Sequence, residues 1–177
     1  GETAAIRQAH AAHFLALSEA AWPSFRQRSG LEPWLDRLDV ERGNLRSALE
    51  WLRDAGKNAA LIQLTGALFW FWYIRGPLSE GRAWLERAME VGSGERPGEP
   101  YGRVRVGAGL LAHFDGDHAR ARRLLEASLT GAPELDDPWL RAFALLLLGM
   151  VTEDQGDYVL AEVRFADERA VARSVQR

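Results

Sequence analysis

The sequence predicts an all-α fold, a linear array of antiparallel helix pairs, and three observations carry that expectation. Gly76, Gly116 and Gly156 recur at intervals of 40 residues, and each follows a strongly apolar stretch, 61–74, 104–114 and 140–151. Behind each glycine comes a small residue (Gly81, Ala121, Ala161) and then a bulky one (Leu85, Leu125, Phe165). No alternation of apolar and polar residues competes anywhere as a strand signal. The repeating unit is therefore an apolar helix, a glycine turn and an amphipathic helix. Such units bury their apolar faces only by stacking on one another.

Each element follows from local chemistry. Residues 4–21 read as one helix with Ile6, His10, Phe14, Leu17 and Ala21 on a face, and Pro23 is expected to end it. Residues 34–52 read as a second helical segment with Leu45, Ala48, Leu49 and Leu52 on one stripe. The apolar stretch 61–74 opens the first pair. It contains Phe69-Trp70-Phe71-Trp72-Tyr73, five aromatics in a row. On a helix five neighbours face every direction, so packing on a single side cannot bury them all. A glycine after each apolar helix permits the positive φ that ends it, and the small residue beyond lets the second helix approach closely. The breaker-rich segments Gly92-Ser93-Gly94-Glu95-Arg96-Pro97-Gly98 and Gly131-Ala132-Pro133-Glu134, the latter leading to Pro138, separate one pair from the next. The expected organisation is an N-terminal helical segment, 1–60, packing on an array of three pairs, 61–91, 103–130 and 139–177. The chain starts Gly-Glu-Thr without an initiator Met and stops inside a helical pattern, which reads as a piece cut from a longer protein.

Composition narrows the function classes. A net charge of −3, from 22 basic and 25 acidic residues in mixed order, gives no footprint for nucleic acid or an anionic membrane. With no cysteine, disulfides, thiolate metal sites and Cys nucleophiles are excluded, and a reducing, cytoplasmic setting is expected. The most apolar segment, 139–151, contains Arg141 and is too short to span a bilayer. Phosphate-binding loops and a nucleophile elbow are missing from the sequence, so the expectation is a domain that is not an enzyme.

Gly-Asp-His-x-x-Ala at 116–121 and Gly-Asp-Tyr-x-x-Ala at 156–161 resemble the tetratricopeptide (TPR) signature. Gly109 and Gly149 fall where that family places a small residue, and Pro133 where its closing proline lies. The interval exceeds the family's 34 residues because the linkers are longer. The first repeat departs further, with Phe69 at the small-residue position and Gly81 in place of alanine. Residues 34–52, followed by Phe71-Trp72-Tyr73-x-Arg75-Gly76 and Glu80-Gly81-Arg82-x-Trp84-Leu85-Glu86, resemble the helical region behind the ATPase module of large bacterial LuxR-type and related STAND (NB-ARC-type) regulators. The resemblance implies a right-handed α-superhelix. It also implies a place in a multidomain ATP-dependent transcriptional regulator, where the array senses an inducer or partner and the adjoining ATPase module is a neighbour in the parent chain.

Register relative to the turn glycines assigns faces. Leu68, Phe69 and Trp72 point into the pair or toward the next repeat. Trp70, Tyr73, Gln63 and Gly66 point into a concave groove, joined by Arg103, Val106, Leu110, His113 and Phe114 from the second repeat and Phe143, Leu146, Met150 and Glu153 from the third. That groove suits a protein or peptide, or a small-molecule inducer. The other reading of Trp70 and Tyr73, that neighbouring helices simply cover them, stays open. No direct nucleic-acid or membrane contact is expected, and an apolar strip on the terminal helix could drive self-association. The alternative function is a stand-alone interaction scaffold that binds a peptide or helix in the groove.

Residue clusters with ligand chemistry are read as structural. His10 and His13 are three apart on a helix without a nearby acid inside it. His113-Phe114-Asp115-Gly116-Asp117-His118 is the repeat's own turn, where Asp after Gly caps the next helix. Glu153, Asp154 and Asp157 form a similar acidic turn. No metal and no cofactor are expected. Arg75 is expected to cap the helix ahead of Gly76-Pro77 and to pair with Glu80.

Overall fold

The structure, a computed structural model, describes residues 2–27, 29–92, 98–130 and 137–175. Among these the regular structure is entirely α-helical: α1 (Glu2–Gln27), α2 (Leu31–Val40), α3 (Arg42–Asp54), α4 (Asn58–Ile74), α5 (Leu78–Gly92), α6 (Glu99–Phe114), α7 (His118–Thr130), α8 (Pro138–Asp154) and α9 (Tyr158–Val175). The fold class is all-α, as expected. The breaker segments at 93–97 and 131–136, with Pro133, lie outside the described residues. The chain divides into two compact units, residues 1–94 and 95–177.

In the first unit α4 is the centre, packed by α1, α3 and α5. Its side chains from Leu61 to Trp72 are buried on every face except at Gln63, which is half-buried. A helix apolar all round is stable only when surrounded in this way. This answers the aromatic run. Phe69, Phe71 and Trp72 are buried, Trp22 of α1 meets Phe69 edge-on at 5.5 Å, and Arg42 of α3 lies over the Phe71 ring at 5.5 Å. Each such side chain contributes roughly 1.5–3 kcal/mol by leaving water.

Three expectations for this unit are corrected. Pro23 does not end α1; the helix runs on to Gln27 because Trp22 and Phe25 are buried beyond the expected stop, offsetting the one backbone donor that proline lacks. Ile6, placed on the packing face, is instead exposed. Residues 34–52 are not one helix: the chain breaks at Glu41, between α2 and α3. Leu38 and Leu45 sit on either side of that break and are both buried, so the apolar stripe continues through it.

Arg75 also differs from expectation. It pairs with Glu32 and Asp36 of α2, not with Glu80. Glu80 takes a two-pronged hydrogen bond from Arg46 of α3, at 3.0 and 2.8 Å. The end of α4 is capped from elsewhere, by Arg42 donating to the Arg75 carbonyl at 3.1 Å.

In the second unit α6 packs on α7, α7 on α8, α8 on α9, and α6 on α8. The turns follow the repeat. Gly116 and Gly156 hold φ of 82° and 83°, and in each turn the glycine N–H and the following Asp N–H bond back to the helix: Gly116 to the His113 carbonyl and Asp117 to that of Ala112, Gly156 to Glu153 and Asp157 to Thr152. This is the Schellman pattern, which needs the left-handed conformation glycine adopts at least cost. Asp117 and Asp157 then accept from the N–H groups of Arg120 and Leu160, opening α7 and α9. Gly76 is the exception to the expected positive φ. What excludes a side chain there is space, since an added Cβ would lie 2.7 Å from the Trp72 Cα.

Candidate functional site

The expected groove residues fall into two groups, each within its own unit. In the first, Trp70 is buried and meets the half-buried Tyr73 edge-on at 5.8 Å, with Gln63 half-buried on the same helix. In the second, Arg103 is buried and paired with Glu99 at 2.7 Å, Leu110 and Val106 are buried, and His113 is only 9% exposed. Phe114, Leu146 and Glu153 are exposed, while Met150 and Phe143 are half-buried. Phe143 stacks on Trp139 at 5.4 Å. Arg103 and Leu110 thus belong to the packed interior, and Phe114 and Leu146 are large apolar side chains that α6 and α8 leave exposed. Elsewhere in the first unit, a groove of about 470 Å³ is lined by Ile6, Arg7 and His10 of α1 and Ser47, Glu50, Trp51 and Asp54 of α3. His10 and His13 both set their rings against Phe14, at 4.7 and 5.0 Å.

The strongest concentration of ligand chemistry in the second unit is where three helix ends meet. His113 is in the last turn of α6, His118 is the first residue of α7, and Asp154 is the last of α8. The glycine turn at Gly116 folds the two imidazoles toward each other, with ring centroids 5.5 Å apart. Packing of α6 on α8 brings Asp154 Oδ2 to 3.5 Å from His113 Nδ1 and 3.9 Å from His118 Nδ1. Both Nδ1 atoms are buried and neither has a hydrogen-bond partner. The contacts to Asp154 are close enough for electrostatic attraction but not made as hydrogen bonds. Burial pushes the His113 pKa below its usual value, the Asp154 carboxylate opposes that shift, and His118 adds to it. The neutral imidazole is the favoured form.

Sequence reasoning gathered His113 and His118 with Asp115 and Asp117 and missed Asp154. The structure gives Asp117 to the cap of α7 and sets Asp154 against the two histidines instead. A signal for it existed. Asp154 occupies in the third repeat the position that Phe114 holds in the second, beside a residue already assigned to the same face as His113.

No protein-family model matches the chain. Over 109 residues, 62% of the chain, it is 28% identical to one Mycobacterium bovis protein and to proteins of two Mycobacterium tuberculosis strains. All three are named, provisionally, as HTH-type transcriptional regulators. The matched stretch covers 12% of each relative's length, so the chain spans only a small part of the proteins it resembles.

Proposed function

We propose that the chain is a non-catalytic, TPR-like sensor and protein-interaction region of a multidomain, ATP-dependent, cytoplasmic transcriptional regulator. The observation that carries this reading is the 28% identity, over 62% of the chain, to proteins named as HTH-type transcriptional regulators. The use of the polar residues supports it. Asp117, Asp137 and Asp157 cap helices, Arg46 and Glu80 pair with each other, and Arg75 holds α2, all structural assignments. The open apolar side chains Phe114 and Leu146 offer contact to an effector or a neighbouring module. Such contact regulates only if it is stronger in one global state than in the other; equal binding to both shifts nothing. A coupling of about 1–3 kcal/mol changes the equilibrium constant between the two states 5- to 150-fold.

The test is a promoter reporter in cells that express the parent regulator with Phe114→Ser and Leu146→Ser together. The expected result is a reporter response to the inducing condition reduced at least several-fold, at unchanged protein level. A wild-type response would contradict the reading.

A further inference from the structure

We propose that His113, His118 and Asp154 form a binding site for a divalent transition-metal ion of zinc type, with one coordination position left open. This goes beyond the regulatory reading and does not depend on it.

Geometry is the first argument. One donor atom from each of the three residues can be chosen so that all lie within 4.8 Å of one another. Zinc bonds to imidazole nitrogen and carboxylate oxygen at about 2.0–2.2 Å, so adjacent ligands in a tetrahedral site are about 3.3–3.5 Å apart. The His113 Nδ1 to Asp154 Oδ2 separation of 3.5 Å is already such an edge. The 3.9 Å from His118 Nδ1 to the same oxygen closes to one by a small rotation, which the partial exposure of both side chains permits.

The second argument is the unmet need of the buried nitrogens. His113 is more than nine-tenths buried, and its Nδ1 and that of His118 are both buried without a hydrogen-bond partner. A buried polar atom left unpaired has lost its water without gaining a partner in return. One cation between the two nitrogens and the carboxylate satisfies all three at once.

Ligand chemistry chooses the class of ion. Two imidazoles and one carboxylate suit zinc and its first-row neighbours, whereas calcium and magnesium take oxygen donors. Three protein ligands leave the fourth tetrahedral position for water or another ligand. Asp154 is about half exposed, which gives that position access to solvent. Because the ligands come from the ends of three separate helices, occupancy would brace α6, α7 and α8 against one another. Ion binding to the folded state alone stabilises it by mass action.

The test uses the purified 177-residue chain, stripped with chelator and titrated with zinc chloride at pH 7.5 by calorimetry, with thermal melts alongside. The expected result is one ion per chain at a Kd of about 1 μM or tighter, with a raised Tm. His118→Ala and Asp154→Asn, both at part-exposed positions where the fold tolerates change, should each weaken binding at least tenfold. A His10→Ala/His13→Ala double variant should leave it intact. Cobalt substitution supplies a second readout: strong visible absorption of tetrahedral type in the wild type, lost in the two variants. Absence of binding and of any Tm shift would overturn the proposal. So would binding that survives both His118→Ala and Asp154→Asn.

Discussion

At Gly109 and Gly149 a missing methyl group sets the spacing of two helix pairs. A Cβ at Gly109 would lie 2.7 Å from Leu125 Cγ, and one at Gly149 would lie 2.4 Å from the Phe165 ring. The two clashes differ in what can yield. Leu125 is fully buried and is struck near its branch point, whereas Phe165 is half-buried and is struck at its ring, the far end of the side chain. Gly109→Ala is therefore expected to cost about 1–3 kcal/mol in urea denaturation, with Gly149→Ala at the lower end of that range. These positions were legible in the sequence, since period and size alone place a small residue opposite a large one. Trp70 was not, because register gives a residue's direction but not what covers it. Its burial predicts that Trp70→Ala loses about 3–5 kcal/mol of stability. His113 adds a pH dependence to the metal-free chain. Its folded-state pKa lies below the usual 6.5, so between those two values the unfolded chain binds more protons. Stability should be full above 6.5 and decline as pH falls below it. His113→Gln should flatten that slope in denaturation curves recorded between about pH 5 and 8.

At the scale of elements, sequence signals were sound for helix existence and weaker at helix ends. The turns at Gly116 and Gly156 were legible because the Gly-Asp pair encodes both the positive φ and the next cap. Gly56 forms a third turn of the same kind, with φ of 63° and with Gly56 and Lys57 bonding back to the Arg53 and Leu52 carbonyls. It went unnoticed because it stands outside the 40-residue period. The break at Glu41 was hidden for a related reason. Leu38 and Leu45 are one heptad apart, so the apolar stripe reads as continuous across two helices. Pro23 misled in the opposite direction, since its local signal was overridden by burial of Trp22 and Phe25. It sits exposed inside α1 without a backbone donor. Pro23→Ala is accordingly expected to stabilise the chain by about 1–3 kcal/mol, read as a higher urea midpoint.

Across the whole molecule, the all-α class followed from the repeat and the absence of strand alternation, and the regular structure among the described residues is entirely α-helical. The functional expectation came from resemblance, not from a residue pattern that names a ligand. The most specific chemistry, the meeting of His113, His118 and Asp154, is spread over 42 positions and appears only when α6 and α8 pack together. Spacing along a chain reports ligand pairs on one helix, and it is blind to ligands that three helix ends bring together. On the proposed reading, this region senses while other parts of the parent protein act on promoters. A region swap decides between the readings: the 109 aligned residues of this chain replace the matched stretch of the Mycobacterium tuberculosis relative, and a reporter on that relative's own promoter is followed across inducing conditions. The promoter is expected to stay the same while the conditions that activate it become those of the donor. A chimera that folds, occupies the promoter and still answers only to the recipient's conditions would contradict it.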